Sequence, residues 1–150
     1  MRHLMLTGDN PDHYLAVLRP LAAGARPVTA RALTVDTRTA GVAVTGEGID
    51  DMLWFARDGI RFAEAKCRFD GRYGALRRRA NALELILLDG RRLESDGISL
   101  ESDGPAVQIQ ITGDRVDLTA EGTGRVTVTD HGTPKILTLD GKPIHTDWTR

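Results

Sequence analysis

Short runs of alternating apolar and polar residues follow one another along most of the chain, and Asp-Gly or Gly-Asp pairs separate many of them. A period of two places successive side chains on opposite faces of a β-strand. Glycine in a two-residue loop supplies the positive φ that hairpin turns need. In the clearest run, apolar residues alternate with polar ones, namely Val107, Ile109 and Ile111 with Gln108, Gln110 and Thr112. The pattern predicts antiparallel β-sheet with one buried and one solvated face.

The same signals predict about ten to twelve strands and no amphipathic helix. Early strands are predicted over residues 3–7, 13–18, 28–35 and 42–45, with a loop over 21–27 and a central apolar strand over 52–55. Asp58-Gly59, Asp70-Gly71 and Asp89-Gly90 are predicted to be turns that end the next strands. The run before Asp89 is rich in Leu and Ala, which favour helix, but its shortness favours a buried strand. We predict an all-β fold, an antiparallel β-sandwich of two stacked sheets, as a single domain over residues 1–150.

Composition restricts the possible partners. The formal net charge is −1, so no overall field favours nucleic acid or an anionic membrane, and we predict neither as a partner. Cys67 is the single cysteine, which excludes an intrachain disulfide framework and a Cys-based zinc cluster. No apolar run approaches the roughly 18 residues of a membrane span, and the N-terminus turns polar too early for a signal peptide. We expect a cytoplasmic protein, unless the chain is a fragment of an exported enzyme.

Few residues are arranged as metal or catalytic sites usually are. The loop Gly8–Asp12 holds the oxygen ligands that calcium prefers, but turn chemistry alone explains its residues. The four histidines are scattered, at positions 3, 13, 131 and 145. Cys67 shares its predicted strand face with apolar neighbours and is expected to be a packed thiol. Trp54 is expected in the core, whereas Trp148 is free to be exposed. We predict no metal, no cofactor and no catalytic residue.

Arg77, Arg78 and Arg79 form the strongest charged feature. On a strand, Arg77 and Arg79 share a face with Tyr73, while Arg78 opposes them. Two guanidinium groups on one face could grip carboxylates or sulfates of an acidic polymer. The alternative is a charged outer face or an edge strand protected against aggregation. Arg77, Arg79 and Tyr73 are therefore the candidate substrate-binding residues.

Three segments resemble the sheet domain of heparinase II/III-like polysaccharide lyases. HYLAVLRP (13–20) is similar to the strand that follows the helical toroid of that family, and GIDDMLWFARDG (48–59) is similar to a later strand and turn. FDGRYGALRRRANALELILLDGRRL (69–93) resembles its late strands. The family cleaves acidic polysaccharides by β-elimination, with catalytic groups mainly on the toroid. The resemblance spans roughly residues 3–93 and matches no catalytic motif, and no helical run in this chain could build a toroid.

The resemblance implies a non-catalytic β-sheet domain that supports binding or cleavage of acidic polysaccharide beside a helical-toroid lyase domain. Tyr14 lies in the resembling strand, but nothing identifies it as a catalytic base. Three alternatives stay open. The chain could be a stand-alone carbohydrate- or protein-binding module without a lyase partner, or a β-barrel around a small ligand. An open sheet edge could also pair with a second copy to form a homodimer.

Overall fold

In the computed structural model the backbone is described for residues 2–7, 14–19, 28–35 and 38–150, and side chains for 28–35 and 40–150. This part of the chain contains 13 strands and no helix. The strands are β1 Arg2–Thr7, β2 Tyr14–Arg19, β3 Thr29–Val35, β4 Arg38–Gly46, β5 Ile49–Glu64, β6 Cys67–Arg79, β7 Ala82–Ser95, β8 Ile98–Ser102, β9 Ala106–Thr112, β10 Arg115–Glu121, β11 Thr123–Asp130, β12 Thr133–Asp140 and β13 Ile144–Thr149. Among the described residues, no helix is long and apolar enough to cross a membrane.

The first two strands pair only with each other. β1 and β2 form a two-stranded antiparallel sheet in which Arg2 lies opposite Arg19 and Thr7 opposite Tyr14. This confirms the strands predicted over residues 3–7 and 13–18. The loop Gly8–Asp12, His13 and the predicted loop over 21–27 lie outside the described residues.

The other eleven strands form one antiparallel sheet that branches at β7. From β3 the strand order runs through β4, β5 and β6 to β7. The first part of β7, Ala82–Leu87, then pairs with β9, whereas its last part, Arg92–Ser95, pairs with β8. The β8 branch continues to β11 and β12, and the β9 branch continues to β10 and β13. The all-β, antiparallel prediction is confirmed, with hydrogen bonds that connect both branches to β7.

Both branches bury side chains in one hydrophobic core. Leu100 and Val126 of the β8 branch belong to the same buried cluster as Ile109 and Leu118 of the β9 branch. The outer strands also meet, because Lys135 Nζ of β12 lies 3.9 Å from the centre of the Trp148 ring of β13. The predicted alternation holds along β9, where the apolar residues are buried and Gln108, Gln110 and Thr112 are exposed. Along β9, the sequence alternation therefore places the apolar side chains on the buried face and the polar side chains on the solvated face.

Three predicted turns are wrong. Asp58-Gly59, Asp70-Gly71 and Asp89-Gly90 lie inside β5, β6 and β7, at points where the strand register shifts. The chain reverses instead at residues 65–66 and 80–81. Gly59 has a φ of +76°, a conformation that suits a β-bulge as well as a hairpin turn. The three pairs lie side by side on neighbouring strands and interrupt the sheet along one line.

The backbones of β6 and β7 approach each other closely on this line. A Cβ atom added to Gly71 would lie 2.5 Å from the Cα of Gly90. A Cβ added to Gly90 would in turn lie 2.9 Å from the carbonyl oxygen of Asp70. The ring of Phe69 lies on the same side of Gly71, with its Cζ atom 3.1 Å from the added Cβ. Both positions therefore require glycine.

Candidate functional site

A large cleft opens where β7 changes partners. We call it the fork cleft, and its volume is about 1380 Å³. Its walls are the three Asp-Gly pairs, Arg61, Arg72, Leu88, Arg91, residues 101–104, Arg125 and Thr127. The three Asp-Gly pairs that were predicted to form turns thus line a polar depression on the outer face of the sheet.

The fork cleft exists because one stretch of β7 has no strand beside it. The ladder with β9 stops at Leu87 and the ladder with β8 resumes at Arg92, so residues 88–91 have no strand partner on the fork side. On the other side, β6 still pairs with this stretch. A strand edge without a partner presents backbone N–H and C=O groups that can bind another molecule.

The connection from β8 to β9 is fixed by local hydrogen bonds. The buried Ser102 hydroxyl donates to the carbonyl oxygen of Pro105 at 2.6 Å. The amide of Asp103 donates to the carbonyl oxygen of Arg125 at 3.1 Å, and the Asp103 carboxylate accepts the amide of Arg125. This wall is therefore anchored to β11, and the Arg125 side chain starts from a fixed backbone.

Charged side chains dominate the fork cleft. Five acidic residues and four arginines line it. One outward-facing row crosses five neighbouring strands and consists of Arg61, Asp70, Arg92, Glu101 and Thr127. Arg61 Nε lies 3.5 Å from Asp70 Oδ2. Arg92 lies just outside the cleft, and its Nη1 atom is 3.7 Å from Glu101 Oε1. Most of the acidic side chains are thus opposed by an arginine.

Three side chains of the cleft are left without such a partner. Arg72 pairs with Asp89 at 2.6 Å. Arg91, Arg125 and Asp58, by contrast, make no side-chain hydrogen bond or ion pair within the described part of the chain. All three are exposed. The fork cleft therefore offers two free guanidinium groups and one free carboxylate to a ligand.

The predicted binding residues lie elsewhere. Arg77 and Arg79 do share a small depression of about 140 Å³. Arg77 Nη1 donates to Glu84 Oε2 at 3.1 Å, and Arg79 Nη2 donates to Asp51 Oδ2 at 3.1 Å. Both guanidinium groups are thus already engaged by carboxylates. Tyr73 is exposed but lines neither this depression nor the fork cleft.

As predicted, Arg78 points to the face of β6 opposite that of Arg77 and Arg79. Its hydrogen bonds stabilise one end of the core. It donates to Asp96 Oδ2 at 2.9 Å, to Asp50 Oδ2 at 3.0 Å and to Ser95 Oγ at 2.7 Å. Burial alone would raise the pKa of Asp96, but hydrogen bonds from Arg78 and Ser95 outweigh it and lower that pKa below its ordinary value. These contacts explain Arg78 as a structural residue.

The remaining candidates do not form a site. Cys67 is 1% exposed, and its pKa is raised to about 12 chiefly by burial, which confirms the packed thiol. Trp54 is buried, as predicted. His145 Nδ1 lies 3.1 Å from Thr119 Oγ1, a local surface contact. Within the described residues, no group of three or more His, Cys, Asp or Glu side chains could hold a metal ion.

Arg91 and Arg125 were missed in the sequence. Arg91 follows Asp89-Gly90, which was assigned to a turn, and Arg125 lies in a generic alternating run. Comparison with known proteins adds no relative, because no protein family, curated protein or solved structure matches the chain. The function is therefore inferred from the geometry and charge of the fork cleft.

Proposed function

We propose that this chain is a non-catalytic β-sheet domain that binds acidic polysaccharide in the fork cleft through Arg91 and Arg125. The observation that carries the proposal is a large open polar cleft with two guanidinium groups that have no carboxylate partner among the described residues. A planar guanidinium group matches a carboxylate or sulfate with two parallel hydrogen bonds. Because Arg91 and Arg125 are in no ion pair with the described residues, an anionic ligand can bind them without displacing a carboxylate.

The size and lining of the cleft favour a chain of sugars over a small apolar ligand. Pockets for drug-sized molecules measure roughly 300–1,000 Å³ and are mostly apolar. The fork cleft is larger, at about 1380 Å³, and of the described residues that line it, Leu88 alone is large and apolar. Hydroxyl-rich polymers suit such a surface, because each sugar can exchange hydrogen bonds with charged and backbone groups.

The likeness to heparinase II/III-like sheet domains supports the same ligand class. In that setting a helical-toroid domain would supply catalysis, and this chain would shape the binding surface. The two branches would be the stacked layers of a β-sandwich, which their common core and the contact of Lys135 with Trp148 favour. As a stand-alone carbohydrate-binding module, the chain would use the same cleft.

Affinity chromatography on immobilised hyaluronan, alginate and heparin tests the proposal. We expect Arg91→Ala with Arg125→Ala to weaken binding by about tenfold, because two exposed ion pairs are lost and each contributes up to about 1 kcal/mol. Arg77→Ala with Arg79→Ala is the matched control, since it removes the same charge from the small depression. It should elute close to the unchanged protein.

Three results would contradict the proposal. Loss of retention in the Arg77 and Arg79 variant alone would move the site to the small depression. No retention of the unchanged protein on any of the three polymers would remove acidic polysaccharide as the ligand. In the same samples, a rise in absorbance from unsaturated uronate products, caused by this chain alone, would show catalysis and end the non-catalytic assignment.

A further inference from the structure

The charges of the fork cleft nearly cancel. Its lining has five acidic residues against four arginines, and two of those arginines are neutralised by Asp70 and Asp89. The cleft therefore lacks the strongly positive field that collects densely charged polymers. Its two free guanidinium groups share the cleft with a free carboxylate, that of Asp58, which repels anionic groups that come close to it.

We infer that the fork cleft selects uronate polymers of low charge density, with one carboxylate per disaccharide and neutral sugars between, over densely sulfated chains. This inference rests on the proposed function and specifies its ligand. Arg91 and Arg125 bind the uronate carboxylates. A polymer with several sulfates per disaccharide would place unmatched anions against Asp58 and the paired acidic residues.

Hydroxyl groups of the neutral sugars also have partners in the cleft. The Asp58 carboxylate can accept hydrogen bonds from sugar hydroxyls, since no described side chain occupies it. The strand edge over residues 88–91, which has no ladder partner on the fork side, adds backbone donors and acceptors. Both the carboxylate and the strand edge contribute to binding a sugar with free hydroxyls and gain nothing from sulfation.

Calorimetric titration with hyaluronan and heparin oligosaccharides of equal length tests the selectivity. We expect hyaluronan to bind at least about threefold more tightly than heparin. The hyaluronan affinity should fall as the salt concentration rises, because salt screens the exposed pairs of guanidinium and carboxylate groups. Asp58→Asn should raise heparin affinity about two- to fivefold by removing a like charge, without a matching gain for hyaluronan.

The control variant is Asp114→Asn, which removes an exposed carboxylate at the β9–β10 turn outside the cleft. It should change neither affinity. Tighter binding of heparin than hyaluronan, with both lost in the Arg91 and Arg125 variant, would overturn the selectivity and leave the proposed function standing. Unchanged heparin affinity in Asp58→Asn would remove Asp58 from the mechanism. Failure of both oligosaccharides to bind would overturn the proposed function itself.

Discussion

Replacing Phe69 with alanine is expected to lower the free energy of unfolding by about 4 kcal/mol. Phe69 is 1% exposed and stacks on Trp54, with ring centres 4.8 Å apart and ring planes 16° apart. The same ring also packs against the line of bulges, because it occupies the space into which a Cβ atom of Gly71 or Gly74 would point. The substitution removes core contacts and leaves a cavity under the floor of the fork cleft. Urea unfolding followed by tryptophan fluorescence measures the loss.

Phe69→Leu is the matched control. It keeps most of the buried volume and should cost less than about 1.5 kcal/mol. A loss below about 1 kcal/mol for Phe69→Ala would contradict the packing described for this ring. If the ring positions the bulges, the alanine variant should also bind acidic polysaccharide more weakly while it is still folded.

Gly71→Ala should lower the free energy of unfolding by roughly 3 kcal/mol through overpacking. The new methyl group would lie 2.5 Å from the Cα of Gly90 and 2.8 Å from the carbonyl oxygen of Asp89. Both obstacles are backbone atoms, so the strands must separate to accommodate it. Because Gly71 and Gly90 line the fork cleft, the separation should also weaken ligand binding.

Gly113→Ala separates this clash from the general cost of replacing glycine. Gly113 has a φ of +57° and no atom within 4 Å of an added Cβ, so alanine there should cost about 1 kcal/mol from backbone strain alone. Equal losses for the two variants in chemical denaturation would contradict the close approach of β6 and β7. An unchanged ligand affinity in folded Gly71→Ala would show that the close approach of the strands at Gly71 does not affect the binding surface.

The closing strands were predictable from the sequence because their information is local. Val107, Ile109 and Ile111 alternate with polar residues, and a glycine-containing turn follows at Gly113. The three Asp-Gly pairs were misassigned because turns and bulges need the same backbone freedom. Whether Gly71 belongs to a turn depends on its pairing with Ile60 and Gly90, which are distant in the sequence. No local pattern specifies that register.

The site was less predictable for the same reason. Arg91 and Arg125 line the same cleft only because β7, β8 and β11 are successive strands of the sheet. The neutralisation of Arg77 by Glu84 follows from the turn at residues 80–81, which places the two residues opposite each other. Clusters of like charge in a sequence do not show which members are already paired. The free arginines are identified only once cross-strand neighbours are known.

Nuclear magnetic resonance titration of the isotope-labelled protein with a hyaluronan oligosaccharide tests the central claim most directly. We expect the largest amide shifts at residues 88–91 and 101–104 and at Arg125, which surround the fork cleft. These shifts should disappear in the Arg91→Ala with Arg125→Ala variant. Shifts confined to residues 77–84 would contradict binding in the fork cleft. The same holds if no shifts appear at an oligosaccharide concentration that saturates the protein in the calorimetric titration.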